Sequence, residues 1–294
     1  MVSVTPRMIR GDMGFYFAKN IPDKCCLCGS SEKLKGEHKI KRTAIAQEFG
    51  TDTMAIGTIG DEGSRLRHAQ SPKSKAFHFA SKLCADCNSS RTQGPDRECD
   101  RLHKRILGLV EDGIEPCEAF DGAEYAVGTQ RFNNIARYFS KLICCHMAEI
   151  GAPRPIYIAR FAIGSFIQNR VWLAVHRDWA YEQIAGLNHD LRYAAHGGLV
   201  VYGDKDTNAP NGFHSTITFG PVQYVFYFRL DWKELLELRL CHSKFYPWAC
   251  QQVQPLNQTG FTGEHKAWKI SHDQRKFRKP LFDRSAGARS AFGA

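Results

Sequence analysis

Two pairs of cysteines constrain this chain more than any other feature of its sequence. Cys25 and Cys28 form one C-x-x-C pair, and Cys84 and Cys87 form the other. Two thiolates at this spacing can bind one tetrahedral metal ion, and two such pairs complete a site that has no open position. The sequence therefore predicts a structural Zn²⁺ that joins two segments lying far apart along the chain.

The charge and the cysteine count limit the class of protein. The chain of 294 residues has 40 lysines and arginines against 30 aspartates and glutamates. This excess favours a polyanionic partner such as nucleic acid, and a basic protein without such a partner is the alternative. No apolar run is long enough to span a membrane, and the N-terminus does not resemble a signal peptide. An odd number of cysteines in paired spacing favours a reducing compartment, so we expect a cytoplasmic protein without membrane contact.

The pattern of helices and strands predicts an α+β protein with three parts. Residues 1–114 contain both cysteine pairs and are expected to form the first domain. Residues 115–256 are expected to form a mixed α/β domain with an antiparallel sheet, because aromatic and β-branched strands flank a Gly-Pro turn. Residues 257–294 form a basic tail. Three roles remain open for the second domain: target specificity, a homo-oligomer interface, or a docking surface for a protein partner.

Polar residues beside the cysteines suggest a second site. Glu37 and His38 follow the first pair, and Asn88 comes directly after Cys87. Histidine can take a proton from water near neutral pH, and carboxylate and amide oxygens are ligands that Mg²⁺ prefers. Neighbouring residues of a regular strand point to opposite faces, so the segment has to be irregular if Glu37 and His38 serve one site. Singly, His38 can equally be a surface histidine and Asn88 a turn cap.

The order of these motifs resembles that of the HNH endonucleases. C-x-x-C, Glu-His, Leu-Cys-x-x-Cys-Asn and a predicted helix follow one another over residues 24–109. The likeness is greatest to members with a four-cysteine zinc site, such as the phage recombination endonucleases. It implies a zinc-stabilised ββα-metal domain, with His38 as the general base. It also implies Glu37 and Asn88 as catalytic residues that bind a Mg²⁺ or Mn²⁺ ion.

The sequence departs from the family pattern at two positions. Glu37 stands where the family usually has aspartate. The third position, usually a histidine or asparagine on the helix, has no clear match, and Asp96 at the start of that helix is a better candidate than His103. Three basic residues near these motifs are candidate contacts for nucleic acid: Arg91, Lys39 and Arg42.

Two functions therefore compete. The first is a metal-dependent HNH endonuclease that hydrolyses phosphodiester bonds in DNA, or in RNA, and that can serve as the effector of an anti-phage defence system. The second is a non-catalytic zinc-ribbon module that binds nucleic acid or protein, in which Glu37 and His38 are incidental. The sequence does not distinguish single-stranded from double-stranded targets.

Overall fold

The computed structural model describes residues 14–50, 54–60, 63–69, 71–178, 181, 194–204 and 206–255. Within these residues the chain is an α+β protein with antiparallel sheets, as the sequence predicts. The predicted basic tail, residues 257–294, lies outside the described residues.

Among the described residues, the cysteine-bearing part contains five strands and three α-helices. In chain order its elements are β1 (Phe17–Ala18), β2 (Leu34–His38), α1 (Arg42–Phe49), β3 (Met54–Gly60), β4 (Gly63–Ala69), β5 (His78–Cys84), α2 (Ala85–Asn88) and α3 (Gln93–Glu111). Strands β2 and β5 pair antiparallel, and β3 and β4 form a separate hairpin. Helix α1 ends at Gly50, whose φ of 71° lies in the left-handed region that glycine tolerates.

The long helix α4 (Gln130–Glu149) lies at the centre of the described structure. It follows two 3₁₀ turns, Pro116–Phe120 and Ala123–Tyr125, and begins where the Thr129 hydroxyl accepts a hydrogen bond from the Phe132 amide. Strand β6 (Arg154–Pro155), which pairs with β1, and helix α5 (Ile156–Ala162) come next.

The remaining chain forms a six-stranded sheet flanked by two short helices. Its elements are β7 (Val171–Arg177), β8 (Ala194–His196), β9 (Val200–Asp204), β10 (Ala209–Phe219), β11 (Val222–Arg229), α6 (Trp232–Cys241), α7 (Phe245–Gln251) and β12 (Gln254–Pro255). The strand order is β12-β9-β10-β11-β7, and β8 pairs with β10. Strands β10 and β11 form the hairpin predicted at the Gly-Pro turn. Only the β12–β9 pair is parallel among the described strands.

The hydrophobic core joins the cysteine-bearing part to the large sheet. One cluster of buried side chains includes Leu83 of β5 and Ile106 of α3 together with Phe139 of α4 and Phe226 of β11. Helix α4 contacts α3, β5 and β7, and its Lys141 reaches two of the candidate site residues, Glu37 and Asp96. The division into domains at residue 114 stays a prediction. Among the described residues, no helix has both the length and the apolar character that a membrane span requires.

Candidate functional site

The four predicted metal-binding cysteines lie together. The sulphur atoms of Cys25, Cys28, Cys84 and Cys87 are all within 4.8 Å of one another. The first pair is held in a tight turn by a hydrogen bond from the Gly29 amide to the Cys25 carbonyl, and Cys84 ends β5 where α2 begins. Four sulphur donors around one point fit a structural metal ion such as Zn²⁺.

The electrostatics of the cluster favour the thiolate at Cys25 only, because burial raises the pKa of Cys28 and the hydrogen bond to Cys25 raises that of Cys87. A hydrogen bond from the Cys87 thiol lowers the pKa of Cys25 to about 4, and this effect outweighs the burial that raises it. The thiolate is the form that binds a metal ion. The adjacent Cys26, which does not fit the paired spacing, turns away into the core, where its sulphur lies 3.7 Å from that of Cys145.

The strand that carries Glu37 and His38 is irregular at that point, as predicted. Gly36 pairs with Lys82, whereas His38 pairs with His78, so more residues of β5 than of β2 lie between the two pairs. Such a bulge changes the direction of the side chains that follow it. The pairing is therefore irregular at Glu37, which is the condition that the sequence analysis sets for Glu37 and His38 to serve one site.

A buried lysine brings Glu37 and Asp96 together. The ammonium nitrogen of Lys141 on α4 lies 2.8 Å from Oε1 of Glu37 and 2.7 Å from Oδ1 of Asp96. Its side chain is only 1% exposed, while those of Glu37 and Asp96 are 13% and 23% exposed. Burial acts to lower the pKa of Lys141, but the attraction of the two carboxylates outweighs it, so that the pKa is raised and the ammonium stays charged.

His38 lies against a second histidine that the sequence analysis did not select. The rings of His38 and His78 are 3.9 Å apart between centroids. The pKa of His38 is lowered to about 4, first by burial and then by the neighbouring charges of His78, Arg42 and Lys141, so the ring is neutral at pH 7. A hydrogen bond to the backbone of Pro72 uses one ring nitrogen, and Nε2 has no hydrogen-bond partner among the described residues. A neutral ring that donates from one nitrogen has a lone pair on the other.

Asn88, Asp96 and His103 are the other candidates for binding the catalytic cation, and they differ in their burial and contacts. Asn88 ends α2 directly after Cys87 and is half-buried. Asp96 lies in the first turn of α3, where its backbone carbonyl accepts a hydrogen bond of 2.5 Å from Lys41. His103 instead points into the core, and its Nδ1 lies 2.9 Å from the hydroxyl of Tyr224. The positions therefore favour Asp96 over His103 as the helix residue near Glu37.

Two of the three candidate nucleic-acid contacts form ion pairs within the protein. Arg91 pairs with Asp86 at 2.7 Å on the surface, and Lys39 pairs with Glu149 of α4 at 2.9 Å. Arg42, at the start of α1, is exposed and near enough to His38 to affect its pKa.

The residues of the second predicted site fit a hard cation by their chemistry. The carboxylates of Glu37 and Asp96 converge on one positive nitrogen, and oxygen donors of this kind, with the amide of Asn88, are those that Mg²⁺ and Mn²⁺ bind. Within the described part of the chain, however, the four cysteines are the only close group of three or more histidine, cysteine or acidic side chains. The positive charge between the two carboxylates is supplied by Lys141.

The sequence contained a signal for Lys141 but none of comparable strength for His78. Lys141 is the one formal charge in residues 138–147, and a charged group inside an apolar helix requires a partner. His78 is distant from His38 in sequence, and only the pairing of β2 with β5 brings them together. Comparison with known proteins adds no assignment, because no family model, no curated protein and no solved structure matches this chain.

Proposed function

We propose that the protein is a metal-dependent endonuclease of the HNH type that hydrolyses phosphodiester bonds in DNA. The observation that carries the proposal is that Glu37 and Asp96 share the ammonium of Lys141, while His38, whose buried Nε2 has no hydrogen-bond partner among the described residues, directly follows Glu37 on a strand with irregular pairing. The four-cysteine cluster and the Glu37–Asp96 pair support the proposal, because the sequence motifs assign these residues to the two metal sites. Residues 1–114 act in this proposal as a ββα-metal nuclease domain stabilised by Zn²⁺.

His38 is the general base of the proposed reaction. Nε2 of its neutral ring is buried and has no hydrogen-bond partner among the described residues, and in the proposed reaction it accepts the proton of the attacking water. A base with a pKa of about 4 is weak in the free protein. The negative charge of a bound phosphodiester would raise this pKa towards neutrality, because an anion nearby stabilises the imidazolium.

Glu37, Asp96 and Asn88 would hold the catalytic cation. A bound Mg²⁺ or Mn²⁺ would supply positive charge at the scissile phosphate. The protein contributes the positions of the ligands, since Asp96 is placed by the first turn of α3 and Asn88 by the cysteine cluster.

The net charge of +10 supports a polyanionic substrate, and the exposed Arg42, whose charge acts on the pKa of His38, is a proposed phosphate contact. The choice of DNA over RNA belongs to the proposal. The proposal also includes a cytoplasmic role as an anti-phage effector. It further includes a protein partner or a second copy of the chain that binds residues 115–256.

The proposal is tested by plasmid cleavage in the presence of Mg²⁺ or Mn²⁺. We expect the full chain to nick or linearise the plasmid, and His38→Ala to reduce the rate by roughly a hundredfold or more, because general-base catalysis contributes at least that much. His176→Ala, which changes a histidine on β7, is the matched control and is expected to keep the activity. Equal cleavage by wild type and His38→Ala, or no cleavage of plasmid, single-stranded DNA or RNA by either protein, contradicts the proposal.

A second candidate function is a non-catalytic zinc-ribbon module. It is favoured by the ion pairs of Lys141, because Glu37 and Asp96 then serve as partners of a buried charge. For a module of this kind, wild type and the His38→Ala variant would retard DNA on a gel equally well, and neither would cleave it. Retardation together with His38-dependent cleavage supports the nuclease.

A further inference from the structure

We propose that Lys141 is a built-in counter-ion of the candidate cation site, and that its ammonium competes with a divalent cation for Glu37 and Asp96. The inference rests on the proposed function in one respect only, namely that these carboxylates bind a cation. It adds a residue from helix α4 that sets how strongly the cation binds.

The geometry supports this role because the ammonium lies between the two carboxylates. Lys141 makes one charge-assisted hydrogen bond to each of them, at 2.8 and 2.7 Å. The other nearby ammonium, that of Lys41, reaches the backbone carbonyl of Asp96 and the carboxylate of Asp100 instead. Lys141 therefore neutralises the Asp96 side chain, whereas Lys41 does not contact it directly.

The burial of Lys141 makes the pairing strong. The side chain is 1% exposed on a helix surrounded by core residues, and its ammonium lies 5.3 Å from the ring centre of Tyr138. A buried charge is stable only with partners of opposite charge, so Glu37 and Asp96 are held to Lys141 whenever no other cation is bound. A cation that binds these oxygens has to replace that attraction.

Removing the ammonium of Lys141 should make Glu37 and Asp96 bind a divalent cation more tightly. Two carboxylates left close together without a counter-ion repel each other, and a divalent cation relieves this repulsion. Lys141→Met keeps the length and the apolar stem of the side chain and removes its charge. The variant should therefore bind a divalent cation more tightly than wild type and depend on it for stability.

The first test is a titration of the full chain with Mn²⁺, in which electron paramagnetic resonance measures the free ion. The second is thermal unfolding with and without Mn²⁺. We expect Lys141→Met to bind Mn²⁺ roughly tenfold more tightly or better, because a unit charge a few ångström away has a large effect in a partly buried site. Its unfolding midpoint should be lower than that of wild type without Mn²⁺ and should rise more when Mn²⁺ is added. Lys41→Met is the matched control, for which we expect a Mn²⁺ affinity close to that of wild type.

Further variants test whether the change in Mn²⁺ affinity arises at Glu37 and Asp96 or elsewhere in the protein. Adding Glu37→Gln to Lys141→Met should abolish the gain in Mn²⁺ affinity. Lys141→Gln, which is also uncharged, provides the same test if Lys141→Met does not fold. Equal or weaker Mn²⁺ binding by the uncharged variants, or a gain that survives Glu37→Gln, overturns the inference.

The measurement contains no nucleic acid, so its result does not depend on cleavage. A gain in Mn²⁺ affinity without nuclease activity under any condition would support the role of Lys141 and contradict the proposed function. Cleavage that depends on His38, with no gain in Mn²⁺ affinity, would support the nuclease and contradict the role of Lys141.

Discussion

At the scale of single residues, two buried histidines are kept neutral by the core. Burial lowers the pKa of His103 to about 4 and that of His146 to about 3. Each ring has a hydroxyl partner, since Nε2 of His146 lies 3.0 Å from the hydroxyl of Ser215 and Nδ1 of His103 lies 2.9 Å from that of Tyr224. These neutral rings satisfy their hydrogen bonds inside the core without the cost of burying a charge.

These histidines make the stability depend on pH. In the unfolded chain their pKa returns to about 6.5, so below that pH the unfolded state binds protons that the folded state excludes. The contribution of each neutral ring is fully present above pH 6.5, and it is lost as the pH falls towards 3 or 4. The free energy of unfolding should therefore decrease on acidification.

The contribution of His146 can be measured with His146→Gln. Well below pH 6.5, the variant should lack the one proton that His146 takes up on unfolding. We therefore expect the slope of the unfolding free energy against pH to decrease by up to about 1.4 kcal/mol per pH unit. Urea denaturation at several pH values between 7.5 and 4.5 measures the slope, and comparison of slopes removes any constant loss of stability in the variant. An unchanged slope would mean that His146 titrates normally in the folded protein.

Sequence reasoning found the residues of the site more readily than their partners. The cysteine spacing identified Cys25 and Cys87, and the order of motifs selected Glu37, because these signals are local. Asp96 is only the better of two candidates for a position without a clear match. Lys141 lies more than a hundred residues beyond Glu37 and reaches it only through the packing of α4. A contact of this kind depends on the tertiary structure, which local patterns do not specify.

At the scale of elements, the cysteine cluster holds the bulged strand pair to the helices that follow. Cys84 ends β5 opposite Leu34 of β2, and its sulphur accepts a hydrogen bond from the Cys87 amide in α2. The first cysteine pair adds an isolated bridge between Cys25 and Lys82 of β5. A metal ion at the cluster would therefore join the turn of Cys25 and Cys28 to the junction of β5 and α2.

Metal content should depend on the paired cysteines and not on their buried neighbour. Cys28→Ser removes a proposed ligand at an exposed position, so its effect on packing is small. We expect purified wild type to contain about one zinc per chain, as a site with four thiolates implies, and Cys28→Ser to contain much less. Elemental analysis by mass spectrometry measures the difference.

Cys26→Ala is the matched control. Cys26 is buried beside Cys145 and lies outside the cluster, so its removal should lower stability and leave the zinc content unchanged. Zinc loss in Cys26→Ala, or full zinc content in Cys28→Ser, would contradict the assignment of the ligands.

The regular elements were easier to predict than the irregular ones. Helices α3 and α4 and the β10–β11 hairpin follow from apolar spacing and from turn residues, which are properties of the segment itself. The three-residue strand β8 exists through its pairing with the end of β10. It carries too few residues for a periodic signal.

At the scale of the whole molecule, polar contacts as well as the core connect the two parts of the chain. Lys39 of the cysteine-bearing part pairs with Glu149 of α4, and the Ser81 hydroxyl donates to the Cys145 carbonyl at 3.0 Å. Most of the residues of α4 from Phe132 to Met147 are buried, because β5 and α3 as well as strands of the large sheet contact this helix. A boundary drawn from local patterns cannot reveal how much surface the adjoining parts share.

This continuity predicts that the described structure unfolds in one cooperative step. The tryptophans that the structure describes, Trp172, Trp232 and Trp248, lie on β7, α6 and α7, so their fluorescence reports on the large sheet and its helices, whereas release of zinc to a chelating dye reports on the cysteine cluster. Since α4 packs against both regions, we expect the two signals to change at the same urea concentration. Lys141→Met should shift both midpoints together, because Lys141 connects α4 to Glu37 and Asp96. Zinc release at a urea concentration that leaves the fluorescence unchanged would instead indicate two independently stable domains, as the sequence alone predicts.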